Sequence, residues 1–425
     1  MGGDIQCLLI NSCKTKLSGY GCEKSFRAEK MKPGLSGNIL PFLCIFFLAA
    51  CGSEGGVEVD CPDEEGGEDW FWTGKVCRLS TKGFNWDVHS IAPALDSSDD
   101  LYAVGEFTAY KKNTVKYAAR LNNKGSLDGG FDSDSDFLSP QIIEPARDGS
   151  GDVYIGGRFY IDSTIVGIAR LNLNGSLDKN FDAGTEVERE VKTIAPATDG
   201  SGDVYIDGPI RLNANGSRDV NFNPVIKAGH NSITPAANGS GDIYVSRSVA
   251  PFFARLNDDG SIDTGFDAGA SGLNGPVFES AMATDGSDDI YVVGNFGIVR
   301  LNSDGTRDTG FVVNSSVYQF QRGKFILPAI DGSGDVYAHA ANTNNEDVIR
   351  VNDDGSIDTG FVIGEGFDYN GSFPTFIGGN GHLSDAAITT DGSGDIYVAG
   401  KFTHYNSQSI VTNLVRLNTR GAIVK

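Results

Sequence analysis

The chain has 425 residues, of which 40% are hydrophobic, so it can bury one large core or two ordinary ones. Its formal net charge of -22 disfavours nucleic acid and anionic lipid as binding surfaces, since both repel it. Fifty-six glycines beside 25 Phe and 14 Tyr exclude a disordered or collagen-like chain and suit many short strands joined by tight turns.

In chain order, residues 1–30 fit no targeting pattern, and Met31 stands where a signal peptide would begin, so 1–30 reads as an upstream extension. Residues 31–50 then read as a signal peptide: a basic start at Lys32 and an apolar run from Ile39 to Leu48, too short to span a bilayer. The sequence Leu48-Ala49-Ala50-Cys51-Gly52 resembles the lipobox of bacterial lipoproteins. That resemblance implies cleavage before Cys51, a lipid on its sulfur, and a place in the cell envelope, anchored to the outer membrane on its periplasmic or surface side. Residues 51–75 form an acidic, Gly- and Glu-rich tether. All seven cysteines precede the repeats; Cys61 and Cys77 could pair in an oxidising compartment or remain thiols.

From residue 76 to 425, internal repetition dominates. One signature ends in Tyr, as in Asp96-Ser-Ser-Asp-Asp-Leu-Tyr102 and Asp148-Gly-Ser-Gly-Asp-Val-Tyr154, with equivalents at Tyr205, Tyr244, Tyr291, Tyr337 and Tyr397. The other begins Arg-Leu-Asn, as in Arg120-Leu-Asn-Asn-Lys-Gly-Ser-Leu-Asp128-Gly-Gly-Phe131, with copies starting at Arg170, Arg211, Arg255, Arg300, Arg350 and Arg416. Strict alternation of the two gives seven units. In the second unit, strands are expected at 142–146, 152–156, 167–172 and 175–181, each bounded by turn residues. Apolar side chains on both faces of Asp152-Val153-Tyr154-Ile155 predict sheets stacked face to face. The fold class is therefore all-β: a single β-propeller of about seven four-stranded blades, with a stacked solenoid as the alternative. The last unit lacks a normal fourth strand, and residues 83–90 are expected to supply it and close the ring.

These units resemble the delta-sixty repeat family of bacterial β-propellers, over residues 91–425. The shared element is Arg-Leu-Asn-x-x-Gly-Ser-x-Asp-x-x-Phe, and the last copy departs from it after Gly421. The resemblance implies the fold and brings no catalytic residues or cofactor.

A residue present in every unit is architectural, so the repeated Tyr and Phe are expected in the core. The repeated Arg and the Asp of Ser-x-Asp are expected to tie each blade together. Asn257-Asp258-Asp259-Gly260-Ser261-Ile262-Asp263 has the donor spacing of a calcium loop, but no bidentate Glu follows and a hairpin turn explains it equally. No metal site is expected. With five His and no nucleophile elbow, zinc motif or phosphate loop, the chain reads more readily as a binding scaffold for a protein or glycan. A hydrolase or lyase of envelope polymers is the alternative. Strand direction puts the repeated turns at one end of the blades and the variable connections at the other. Ligand contacts are expected at that variable end, around the 362–385 insertion: Glu365, Phe367, Asp368, Tyr369, Phe373, Phe376 and His382, beside Tyr405.

Overall fold

The computed structural model describes residues 9–17, 22–29 and 83–424, apart from 134–139, 162–163, 188, 228–229, 314–323, 342–345, 363, 365, 369–381, 403, 407 and 410–412. The chain divides into two units, Met1–Gly67 and Glu68–Lys425. In the first, Leu9–Leu17 pairs antiparallel with Cys22–Glu29. No described helix is long and apolar enough to cross a membrane.

The second unit is built from antiparallel sheets in a propeller-like, all-β arrangement. Each repeat gives three strands. The first strands are Val88–Pro93, Pro140–Pro145, Ile194–Pro196, His230–Pro235, Val277–Met282, Ile326–Pro328 and His382–Ile388. The second strands, carrying the signature Tyr, are Leu101–Gly105, Val153–Ile161, Val204–Ile206, Ile243–Arg247, Ile290–Gly294, Val336–Ala341 and Ile396–Lys401. The third strands carry the signature Arg: Ala118–Leu121, Thr164–Leu171, Ile210–Leu212, Phe253–Leu256, Gly297–Leu301, Glu346–Val351 and Leu414–Leu417. In each sheet the second strand is central, so its Val-Tyr-Ile type side chains are buried on both faces. Proline ends five of the first strands, where a missing N–H costs nothing because that edge is unpaired.

The expected fourth strand is reduced to one bridge per repeat, as between Leu171 and Leu177 in the second and Leu417 and Ile423 in the last. The chain then turns at Asp-x-x-Phe and binds the following repeat: the Asp132 N–H donates to Asn174 O at 3.0 Å, and five later repeats repeat the bond. Glycine is required at that contact. Gly175 has φ +87°, and a Cβ there would lie 2.7 Å from the Asp132 backbone.

The hydrophobic core is distributed between sheets. One cluster joins Tyr102 and Phe131 of the first repeat to Val153, Ile155 and Leu171 of the second. Equivalent clusters follow around the molecule, and one joins Ala387, Tyr397 and Ala399 of the last repeat to Leu101, Ala103 and Leu121 of the first. The first strands likewise lie side by side in sequence, with His382–Ile388 against Val88–Pro93. They therefore surround an axis.

Closure differs from the expected swap. Phe84 bridges Tyr110 of its own repeat, and the last repeat has its own outer bridge at Ile423, so residues 83–90 do not supply an outer strand to it. Beside the shared core cluster, polar bonds cross the seam: the Ser384 hydroxyl donates to Val88 O, the Ile91 N–H donates to Asp385 Oδ2 at 2.9 Å, and Asn413 Nδ2 donates to Trp86 O at 2.9 Å. An exposed first-strand edge has free N–H and C=O groups, and these side chains satisfy them without a swapped strand.

Candidate functional site

Among the described residues, the sheets carry a repeated set of charged residues and a set on the first strands that does not repeat. The repeated set centres on the signature Arg. Arg170 donates through Nε to Asp152 at 2.9 Å, through Nη2 to Asp148 at 2.6 Å and Ser150 at 3.0 Å, and through Nη1 to the Tyr154 hydroxyl at 3.4 Å. Its side chain is nearly covered, at 7% exposure. Burial works against the Asp148 charge, yet hydrogen bonds from Ser150 and Arg170 hold its carboxyl below the ordinary range. Burial pushes the Tyr154 hydroxyl up to about 12. That hydroxyl donates to Gly202 O of the next repeat, and its ring meets Phe181 edge-on at 5.4 Å. Arg, Asp and Tyr thus tie strands, turn and neighbouring repeat together, as their repetition predicts.

The tie varies by a simple rule. Arg120, Arg170, Arg350 and Arg416 bind the first Asp of their own Tyr-signature turn. Arg211 and Arg300 instead reach Asp258 and Asp353 in the next repeat, where an acidic residue follows the Asn of Asn-x-x-Gly. Arg255 has neither partner: Asn238 replaces the turn Asp, and Ser303 faces it from the next repeat, so it keeps Asp242 and Asp263 and meets only the Ser303 carbonyl.

The unique set lies on the first strands around the axis. Glu144, Glu279 and Asp385 come from the second, fifth and seventh repeats, none of which are neighbours in the ring. Glu279 and Asp385 hold the same register, opposite Val293 and Ala399, each two residues beyond the signature Tyr. Glu144 sits two residues further along its strand, opposite Tyr154. All three remain partly exposed to solvent while protein surrounds them. Burial, reinforced by Asp385 and Glu279 and opposed by Arg147, pushes Glu144 up to about 8. Burial likewise raises Glu279 to about 7, against the Ser232 hydroxyl and the Ser280 N–H, which donates to its Oε1 at 3.0 Å. Asp385 is raised by burial to about 6, although it accepts from Ile91 and from Ala386 at 2.8 Å. That Asp385 acts on Glu144 and Glu279, and Glu279 on Glu144, from non-adjacent sheets follows from their facing a common axis. Acids with pKa values between 6 and 8 can hold, release or share protons near neutral pH. No described group of three His, Cys, Asp or Glu residues is close enough to hold a metal ion.

Sequence reading missed these three. The signal was present as an isolated acid inside an apolar first strand, as in Ile142-Ile143-Glu144-Pro145.

The residues expected to bind ligand fall into three groups. Phe367 and Tyr405 are fully buried: Phe367–Asp368 pairs with His404–Tyr405, and the two rings pack together with Phe402. They are core residues, and their side chains offer no contact surface in this conformation. A matching trio, Phe84, Phe107 and Tyr110, occupies the first repeat. His382 is exposed, with Lys324 Nζ 3.0 Å from its Nε2. Glu365, Tyr369, Phe373 and Phe376 lie outside the described residues, as do Cys51, Cys61 and Cys77.

The stacked antiparallel sheets around an axis define a β-propeller-like protein. Five segments, residues 98–131, 149–181, 238–266, 286–311 and 391–423, match the family model described as a domain of unknown function (DUF5122) beta-propeller. These five segments are similar to the DUF5122 β-propeller model, and the resemblance drawn from the Arg-Leu-Asn element is borne out at that level. Among solved structures, the WD40 β-propeller domain of Doa1 aligns at 15% identity and a TM-score of 0.49, over 75% of this chain and 92% of that one. No curated protein matches the chain significantly.

Proposed function

We propose that this chain is a lipid-anchored protein of the cell envelope, held through Cys51, whose seven blades, each with a vestigial fourth strand, act as a binding or assembly scaffold for a protein or glycan. One observation supports the reading above others: the repeated Arg, Asp and Tyr are consumed by internal ties, so partner recognition falls to the residues that do not repeat. Those collect at the variable end, where His382 of the 362–385 insertion meets Lys324. Residues 31–50 direct export, and the acidic segment 51–75 serves as tether. Replacement of Cys51 with Ala tests the anchor: the variant should leave the membrane fraction and become soluble, and persistent membrane association would contradict it. A screen of that soluble variant against envelope glycans and envelope proteins tests the scaffold, with saturable binding and no change to the bound polymer as the expected result.

A second reading has its own observation. Three carboxyls raised to about 8, 7 and 6 are suited to acid and base roles in a hydrolase or lyase acting on an envelope polymer. Release of soluble fragments by the wild-type chain, abolished by Glu144→Gln, would favour it over the scaffold.

A further inference from the structure

Six of the seven Tyr-signature turns begin with aspartate, at Asp96, Asp148, Asp199, Asp285, Asp331 and Asp391; the fourth begins with Asn238, and Gly239 follows it. In an Asn-Gly pair the backbone nitrogen of the glycine can attack the side-chain amide with least obstruction, because glycine has no Cβ. That nitrogen must be free to react, and the Asn-Gly pairs of this chain differ on the point. Gly175 N–H donates to Asn172 O and Gly216 N–H to Asn213 O, each at 2.8 Å, and both glycines press against the backbone of the preceding repeat. In Asn274-Gly275 the glycine is buried. Gly239 N–H, by contrast, has no hydrogen-bond acceptor among the described residues. Asn238 and Gly239 are both exposed, and the space where a Gly239 side chain would stand is open. Beside this turn Arg255 lacks the acid that each of its six counterparts holds in its own turn or takes from the next repeat.

We propose that Asn238 is a self-modifying site: its side-chain amide deamidates in the folded protein, and the aspartate formed completes the tie to Arg255. The Gly239 nitrogen attacks Asn238 Cγ. The new N–C bond closes a succinimide ring, the Cγ–Nδ2 bond breaks, and ammonia leaves with the proton of Gly239. Water then opens the ring. Addition at Cγ leaves the original peptide bond and an Asp carboxyl, whereas addition at the main-chain carbonyl leaves isoaspartate. The net change is hydrolysis of one amide, so water is the one co-reactant. The fold selects the Asp product. Asn238 Oδ1 already accepts Ser240 N–H at 3.1 Å, as Asp148 Oδ1 accepts Ser150 N–H at 3.0 Å. The oxygen that replaces Nδ2 corresponds to Asp148 Oδ2, which meets Arg170 Nη2 at 2.6 Å. A charged hydrogen bond of that kind holds one product, and because succinimides reclose and reopen, the product that is held accumulates. The site lies among the repeated turns and stands apart from the scaffold reading, whose ligand lies at the variable end.

Ageing the purified full chain at 37 °C and pH 8 in heavy-oxygen water, followed by proteolysis and fragmentation mass spectrometry that separates Asp from isoaspartate, tests it. Label should enter at Asn238 at least tenfold faster than at Asn174 or Asn215, chiefly as Asp, and the share of Asp should fall in Arg255→Met. The melting temperature of aged wild-type chain should move toward that of Asn238→Asp. Asn238→Gln, whose longer side chain cyclises slowly, should shift less under the same ageing. Equal labelling of the three turns, an unlabelled Asn238, or isoaspartate as the main product would each overturn the proposal. These rates are read on the wild-type chain, so they decide even where Arg255→Met loses its cooperative melt.

Discussion

Asn238→Asp should stabilise the protein, because it supplies Arg255 with the carboxylate that four equivalent arginines already hold. The neighbouring Ser303 offers no competing acid, unlike Asp258 before Arg211 and Asp353 before Arg300. The turn itself should tolerate the change, since Asn238 Oδ1 already accepts Ser240 N–H as Asp148 Oδ1 accepts Ser150 N–H. A hydrogen bond between charged groups contributes about 1.5–3 kcal/mol. The equivalent Asp148 is 25% exposed and Arg255 18%, and Arg255 already has two acidic partners, so solvent screening reduces the expected gain to about 1 kcal/mol. With an unfolding entropy of about 2.1 cal/mol/K per residue over roughly 360 residues, that is about 1–2 °C in melting temperature. The pH dependence has a definite sign. Burial opposes the Asp148 and Asp331 charges, but bonds from Ser and Arg hold both below the ordinary carboxylate value of 3.8. Asp at 238 should behave the same way: its stabilisation is full above about pH 4 and disappears as pH falls through its folded pKa. Scanning calorimetry at pH 7 and pH 3, in the native and Arg255→Met backgrounds, separates the effect. A gain of equal size with Met at 255, or a gain undiminished at pH 3, would refute the tie.

Two further outcomes follow from the same geometry. Ser97 holds φ +64° in a turn where later repeats place glycine, so Ser97→Gly should raise stability by about 0.5 kcal/mol, read by denaturant titration; a loss would mean that the left-handed backbone is not strained there. Glu144→Gln should change the pH profile: the folded state retains at about pH 8 a proton that the unfolded chain releases near pH 4.5, so the native protein loses stability as pH rises across that interval and the variant does not. A melting-temperature difference between the two that stays constant from pH 5 to pH 8 would contradict the raised pKa.

What the sequence made legible was whatever repeats. Tyr154, Arg170 and Phe181 recur with their turns, and each went to the place that repetition implies: core, tie and inter-repeat ring contact. The expected fourth strand at 175–181 shortens to a single bridge at Leu177, because Asp178 accepts from Asn180 N–H and turns the chain there. Ring closure was misread because the bonds of the seam join residues nearly 300 positions apart, Ser384 to Val88 and Asp385 to Ile91, by side-chain chemistry that no local pattern announces. Phe367 and Tyr405 looked like a contact surface for a related reason. An aromatic in a long connection has the same one-letter signal whether it meets a ligand or, as here, Phe402. Glu144, Glu279 and Asp385 are far apart in the chain and acquire their chemistry only when the first strands encircle one axis.

The scaffold reading is tested most directly by surface plasmon resonance of the soluble Cys51→Ala chain over immobilised envelope glycans and extracted envelope proteins, comparing two variants. One replaces the 362–385 insertion with a Gly-Ser linker; the other carries Asp259→Asn and Asp354→Asn in the repeated turns. The account predicts saturable binding that the linker variant loses by at least tenfold, roughly 1.4 kcal/mol, and that the turn variant keeps. Binding lost with the turns and kept without the insertion would contradict it.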